Sequence, residues 1–172
     1  MEREINKILV IICAKKNSKR FPSKNEILMD DVIKECLRDK RISRVALATD
    51  IERFLEMGDD KLSVLMRPKN ALEPEDSVFL IARWVYLSMG DHYDIVSVVL
   101  PSVIGFKSGF IKKTADILVS NNLNEVRTYN NEGVENGVIT MRSECLKSSN
   151  VSTYCGALIT KAHEVHLPSE LR

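Results

Sequence analysis

Five consecutive apolar residues, Ile8-Leu9-Val10-Ile11-Ile12, stand near the start of the chain with no polar residue among them. A half-solvated strand alternates polar and apolar side chains, whereas a short unbroken run belongs to a strand buried on both faces. Both faces are covered when helices pack on each side of a parallel sheet. The rest of the chain meets that requirement. Short β-branched runs recur at Val45–Ala48, Ser63–Met66 and Ile95–Leu100, with helical patterns between them.

The helical patterns have recognisable ends. Asp30 to Leu37 starts with two acids, ends near Arg38 and Lys40, and puts Val32, Ile33, Cys36 and Leu37 on one face. Residues 51–57 read as a short helix stopped by Gly58, and Pro68 cuts off the strand before it. Asp76-Ser77 opens a stretch to Met89 that is apolar all round, with Arg83 the only charge after Asp76, which predicts a buried helix with Trp84 in the core. Ser108 to Ser120 is amphipathic, with Ile111, Ala115 and Leu118 inward and Lys112, Lys113 and Asp116 outward. Short strands are predicted at Glu125–Tyr129, Val138–Met141 and Ala157–Thr160. The Asn- and Gly-rich stretch Asn121 to Gly137 carries the weakest structural signal.

Strands alternating with helices predict a three-layer αβα sandwich with a mainly parallel, Rossmann-like sheet. The length of 172 residues suits one domain spanning 1–172. In such a sheet, ligands bind in the crevice at the carboxyl ends of the strands.

Composition narrows the function. Twenty-five Lys and Arg against 24 Asp and Glu give a net charge of +1, which argues against a dedicated nucleic-acid binder. No apolar run approaches the roughly 18 residues that span a bilayer, and Lys15-Lys16 follow the first run without a cleavage-site pattern. A cytoplasmic protein is expected. Cys13, Cys36, Cys145 and Cys155 form no C-x-x-C pair and read as reduced, mostly buried thiols.

The positive charge is concentrated directly after the first buried strand. Between Lys15 and Lys24 lie five cations and no acid, with Asn17 and Ser18 among them. Polyphosphates need charge neutralisation together with hydrogen-bond donors, and this stretch offers both at a ligand-binding edge. A solvated surface loop would carry the same charge. The glycine-rich P-loop and dinucleotide patterns are absent, so any phosphate cradle here relies on Lys and Arg side chains. Asp50, at the end of the second strand, reads either as a substrate contact or as a helix N-cap. His163-Glu164-Val165-His166 is not H-E-x-x-H, and on a strand its two histidines point to opposite faces. Tyr129 and Tyr154 read as packing residues rather than base-stacking ones.

The stretch Ala14-Lys15-Lys16-Asn17-Ser18-Lys19-Arg20-Phe21-Pro22-Ser23-Lys24-Asn25 resembles the N-terminal signature of the acylneuraminate (sialic acid) cytidylyltransferases, roughly A-R-x-x-S-K-x-[IL]-P-x-K-N. Ala48-Thr49-Asp50 is similar to that family's S-T-D. Arg67-Pro68, followed by Leu72 and Glu75-Asp76, is similar to its R-P with a leucine and an S-D pair. Asn136-Gly137-Val138-Ile139 resembles its N-G-[AV]-I, and all the matches are collinear.

The resemblance implies a nucleotidyltransferase fold and transfer of CMP from CTP to a nonulosonic sugar acid, with Mg²⁺ and release of pyrophosphate. Carried over by position, Lys15 and Lys24 would bind the triphosphate and act in catalysis. Ala14, Asn17, Ser18 and Lys19 would support them, and Asn25 and Arg67 would contact ribose and base. Asp50 and Asn136 would face the sugar acid. A relative that binds nucleotide without turnover is the alternative.

The chain also departs from the pattern. Lys15 replaces an arginine and loses its bidentate fork. Leu100 stands at a strand end where related enzymes carry a metal-binding acid. The family's D-x-D pair for Mg²⁺ is read against His166 and Pro168, so no protein ligands for the metal are evident. Asp50, Asp76 and Asp94 are the substitutes considered. About a dozen residues separate Asn124 from Asn136, too few for the family's dimerisation arm, so a monomer or a different oligomer is expected.

Overall fold

The unbroken apolar run becomes β1 (Ile8–Ala14), a strand buried at every position. The computed structural model describes residues 7–16, 21–67, 78–147 and 154–171. After β1 come α1 (Lys24–Arg38), β2 (Ile42–Thr49), the short α2 (Glu52–Leu55) and β3 (Leu62–Met66). Then follow α3 (Val78–Met89), β4 (Ile95–Val99), β5 (Val103–Ile104) and α4 (Gly109–Ser120). The chain closes with β6 (Glu125–Tyr129), β7 (Glu135–Arg142), the short α5 (Glu144–Lys147), β8 (Cys155–Ile159), β9 (His163–Glu164) and a 3₁₀ turn at Pro168–Leu171.

Among the described residues, β3-β2-β1-β4-β7-β6-β8 form one sheet in that order, and β5-β9 form a small second one. The pairs β3–β2, β2–β1, β1–β4 and β6–β8 are parallel; β4–β7 and β7–β6 are antiparallel. The architecture is therefore α/β with a mainly parallel sheet, as the sequence predicts. One core, holding Val10, Ile12, Met29, Ile33, Leu47 and Leu118, joins the sheet to α1 and α4. The other, holding Leu9, Ile11, Ala46, Ile81, Val85 and Leu146, joins it to α3 and α5. Among the described residues, no helix is long and apolar enough to cross a membrane.

Four expectations change. The helix predicted from Asp30 starts at Lys24, nearly two turns earlier. Its opening residues, Lys24-Asn25-Glu26, show no apolar stripe; polar contacts bury Lys24 and Asn25 instead. The helix predicted as wholly buried is one-sided. Ile81, Ala82, Val85 and Tyr86 are inside, Leu80 and Leu87 are exposed, and Trp84 is half-buried. Only one side of α3 rests on the sheet, so its apolar composition overstates its burial; residues 76 and 77 lie outside the described residues.

The Asn/Gly-rich stretch is also well formed. It holds β6 and a turn in which the Asn130 side chain accepts from the N–H groups of Glu132 and Val134, and Gly133 takes a φ of 78°. Side-chain turn chemistry of this kind leaves no apolar period to read. Finally, Tyr154 and Cys155 are exposed and Cys145 is half-buried, so only Cys13 and Cys36 match the expected buried thiols.

Candidate functional site

The parallel strands β1, β2, β3 and β4 all finish at one edge, with Ala14, Thr49, Met66 and Val99 as their last residues. Ala14 is fully buried opposite Thr49. The chain then leaves the sheet through Lys15 and Lys16. The Lys15 carbonyl accepts from Asn25 Nδ2 at 3.0 Å, and the Lys16 N–H donates to Asp50 Oδ1 at 2.6 Å. Lys16 Nζ reaches Glu52 at 3.3 Å on the exposed surface. The start of the basic stretch is thus tied to α1 on one side and to the β2–α2 turn on the other.

Those ties settle some roles. Asp50 is not an N-cap: Ile51 holds that position in α2, with no side-chain cap bond, and the Asp50 carboxylate fastens Lys16 instead. Asn25 spends its amide donor on the Lys15 carbonyl from a buried position. Arg67 continues the β2–β3 ladder through its N–H to the Thr49 carbonyl at 3.1 Å. Burial pushes the Cys13 thiol up to about 12, and the Arg67 charge pulls against that rise. Asn17, Ser18 and Lys19 lie outside the described residues.

Lys24 is the main surprise. It is 8% exposed, its Nζ donates to the Val165 carbonyl at 2.9 Å, and it stands 3.5 Å from Glu164 Oε1. That same oxygen accepts from Ser102 Oγ at 3.0 Å, while Glu164 Oε2 lies 3.9 Å from His166 Nε2. The α1 N-terminus, the β4–β5 turn and β9 therefore meet around one carboxylate. In the sequence the two histidines of His163–His166 draw attention away from Glu164, the acid between them. The signal lay in its neighbours' position, but its partner Lys24 is 140 residues away by number and could not be read.

Asn136 is the second residue of β7, beside the end of β4. It is 2% exposed and gives both amide hydrogens inward, to Thr160 Oγ1 at 2.7 Å and to the Ala162 carbonyl at 2.9 Å. Its Oδ1 is buried without a hydrogen-bond partner among the described residues. Asn136 thereby braces the turn leading into β9. The next residue, Gly137, has φ 89°, and a Cβ there would sit 2.3 Å from Val103 Cγ2, so β7 approaches the β4–β5 turn more closely than a side chain allows. Leu100 lies in that contact, its N–H donating to the Gly137 carbonyl.

No protein-built Mg²⁺ site is evident among the described residues. No three His, Cys, Asp or Glu side chains gather among them. Two carboxylates stand at this edge: Asp50 accepts from the Lys16 N–H, and the Lys24 ammonium and Ser102 hydroxyl take one oxygen of Glu164. Asp94 drops out on topology. It precedes β4, at the opposite end of the strand from the site, and accepts there from the Lys7 N–H at 2.8 Å. Asp76 lies outside the described residues.

No protein-family profile matches this chain, and no curated protein sequence matches it. Solved structures do. A CMP:2-keto-3-deoxy-manno-octonic acid synthetase complexed with CTP superposes with a TM-score of 0.69 at 12% identity, covering 96% of this chain and 95% of that one. The 4-diphosphocytidyl-2C-methyl-D-erythritol synthase of Anaerococcus prevotii gives 0.62 at 14% identity over 97% and 93%. A cytidylyltransferase of Leptospira borgpetersenii gives 0.60 at 14% identity over 83% and 63%. At these identities the likeness establishes the fold.

Proposed function

We propose that this chain is a nucleotidyltransferase that binds CTP at the carboxyl edge of β1, β2 and β4 and transfers CMP to a nonulosonic, sialic-acid-like sugar acid. The observation that carries the reading is positional. The densest positive charge in the chain leaves β1 at the ligand-binding edge of a fold shared, over nearly its whole length, with a sugar-acid cytidylyltransferase solved with CTP.

In this reaction the sugar hydroxyl oxygen bonds to the α-phosphorus of CTP, the bond from that phosphorus to the bridging oxygen breaks, and pyrophosphate leaves. The hydroxyl proton passes to solvent or to a base. Such transfer depends chiefly on positioning and charge stabilisation. Lys15 neutralises the triphosphate, with Ala14, Asn17, Ser18 and Lys19 supplying further contacts. Lys24, at the start of α1, is the cation assigned to the leaving pyrophosphate. Asn25 sets the course of the chain at Lys15, Arg67 faces the nucleotide from the end of β3, and Asp50 and Asn136 shape the acceptor side. Mg²⁺, as the usual companion of a nucleoside triphosphate, would enter on the phosphates, and no step is assigned to a metal held by this chain.

One observation favours a second reading, a nucleotide-binding relative without turnover. Lys24, the cation best suited to the leaving pyrophosphate, is buried against Glu164 and the Val165 carbonyl. Two measurements separate the readings. Thermal unfolding with CTP, ATP, GTP and UTP, each with and without Mg²⁺, reports binding; a ligand at about a hundred times its Kd adds roughly 2.7 kcal/mol. Pyrophosphate release from CTP with a panel of sugar acids reports turnover. Stabilisation selective for CTP together with release supports the transferase, and stabilisation without release supports the binder. No shift with any nucleotide overturns both.

A further inference from the structure

Lys24 and Glu164 meet in a rigid frame at the carboxyl edge of the sheet. β9 pairs with β5, Glu164 opposite Val103 and His163 opposite Ile104, and the Val165 N–H donates to the Ser102 carbonyl at 2.7 Å. Glu164 is thereby fixed beside the β4–β5 turn, and Ser102 Oγ donates to its Oε1 at 3.0 Å. Lys24, the first residue of α1, reaches into that frame with a flexible stem and a compact, rotatable set of donors.

The contact has the strength of an exchangeable pair. A charge-assisted hydrogen bond from an ammonium to a carboxylate spans about 2.7–2.9 Å at full strength. Lys24 Nζ lies 3.5 Å from Glu164 Oε1, whereas its 2.9 Å bond goes to the Val165 carbonyl. An ammonium that turns to another anion can therefore keep the carbonyl. Glu164 is not stranded by the change either: its side chain is 24% exposed, and it keeps the Ser102 hydroxyl. Breaking a fully buried pair leaves an uncompensated charge, a cost this geometry avoids on both sides. The surroundings are cationic as well. Asn25, next in sequence, holds the Lys15 carbonyl at 3.0 Å, so the pair lies beside the start of the basic stretch.

We infer that Glu164 is an internal competitor for the phosphates of the nucleotide. It holds the Lys24 ammonium at the edge of the site and yields it to a polyphosphate, whose oxygens carry more charge than one carboxylate. The Nζ–Oε1 contact breaks, a contact from Nζ to a phosphate oxygen forms, and the Val165 carbonyl and Ser102 hydroxyl keep their bonds throughout. Glu164 is thus a positioning residue that acts through Lys24, and the inference rests on the nucleotide reading proposed above. It also gives the burial of Lys24 a place in that reading, because a cation held ready for exchange is pre-organised.

The test uses the full chain and inorganic tripolyphosphate, a probe that needs neither base nor sugar acid. In calorimetric titration at fixed ionic strength, Glu164→Gln keeps the side-chain length, loses the charge, and is expected to bind roughly fivefold more tightly than the parent. The gain is expected to vanish when Lys24→Met is added, because the double-mutant cycle isolates what passes through Lys24. In the parent, the Lys24 ammonium resonance, identified by its loss in Lys24→Met, is expected to shift as tripolyphosphate saturates the protein. That measurement needs no variant at position 164 and decides the inference if Glu164→Gln fails to fold. Binding by the parent with no gain in Glu164→Gln, a gain that persists in full beside Lys24→Met, or an ammonium resonance that stays in place overturns the inference and leaves the nucleotide reading standing. No binding of tripolyphosphate or CTP by either the parent or Glu164→Gln overturns both.

Discussion

The two halves of the sheet are built differently. In the β3-β2-β1-β4 half, parallel strands carry α1 on one face and α3 on the other, and β1 is buried at every residue. In the β7-β6-β8 half the pairing is mixed. α4 packs on one face, whereas Arg127 and Tyr129 of β6 and Ala157 and Ile159 of β8 line the other face and are half-buried or exposed. The first half pays for its backbone order with hydrophobic burial on two sides; the second depends more on hydrogen bonds and ion pairs, such as Arg127 held between Glu125 and Glu135. Every strand end that builds the candidate nucleotide site belongs to the first half. The second half braces it through Asn136 and Gly137.

The largest expected contrast lies between two isoleucines. Ile11→Ala, in the fully buried β1, should destabilise by about 2–5 kcal/mol in urea unfolding. Ile159→Ala, measured at low protein concentration, should stay within about 0.5 kcal/mol. Equal costs would erase the distinction between the halves.

The junction comes next. Gly137→Ala should cost about 3 kcal/mol, because the residue sits at φ 89° and the new methyl must displace Val103 in a packed turn. An unchanged unfolding midpoint would mean that β7 can move away from the β4–β5 turn.

A smaller effect is expected at the hydroxyl cluster between β4, β7 and α4. Thr140 Oγ1 lies 2.7 Å from both Ser97 Oγ and Thr114 Oγ1. Thr140→Val keeps the shape but strands the buried Ser97 hydroxyl, while Thr114 Oγ1 keeps the Phe110 and Ile111 carbonyls, and should cost about 1–2 kcal/mol; Thr140→Ser should recover most of it.

The smallest effect is electrostatic and belongs to the parallel half. The Arg41 guanidinium, hydrogen-bonded to Asp39, holds that carboxyl down at about 2 against its ordinary 3.8. A lowered native value means that the folded state favours the ionised form. The stabilisation is full above pH 3.8 and disappears as pH falls through about 2. Asp39→Asn should therefore flatten the loss of stability across that window, with little change where the other carboxyls titrate. An unaltered pH profile would show that the contact contributes nothing in solution.

The sequence made the layering legible because burial leaves a local trace. Runs such as Ile8–Ile12 and the Ile111, Ala115, Leu118 stripe can be read without knowing any partner, and all three stripe residues are buried as expected. It was misleading where polarity hid order, as at the first turn of α1 and at the Asn130 turn, and where α3 had more apolar surface than the sheet could cover. The position of the basic stretch at a strand's carboxyl end was likewise legible, since it follows directly from the order of strand and loop.

Partnership was not legible. Lys24 and Asn25 look like loop donors in the sequence, yet the folded chain points one at Glu164 and Val165 and the other at the Lys15 carbonyl. Lys24 finds its carboxylate only because β9 returns to the start of α1, and Asn136 finds Thr160 only because β8 runs parallel to β6. By itself the sequence determined which segments are buried and at which edge a ligand can sit, because hydrophobic periodicity and chain order are local properties. Only the tertiary structure decided which charges are already paired, because the partner of a buried charge depends on how distant segments cross.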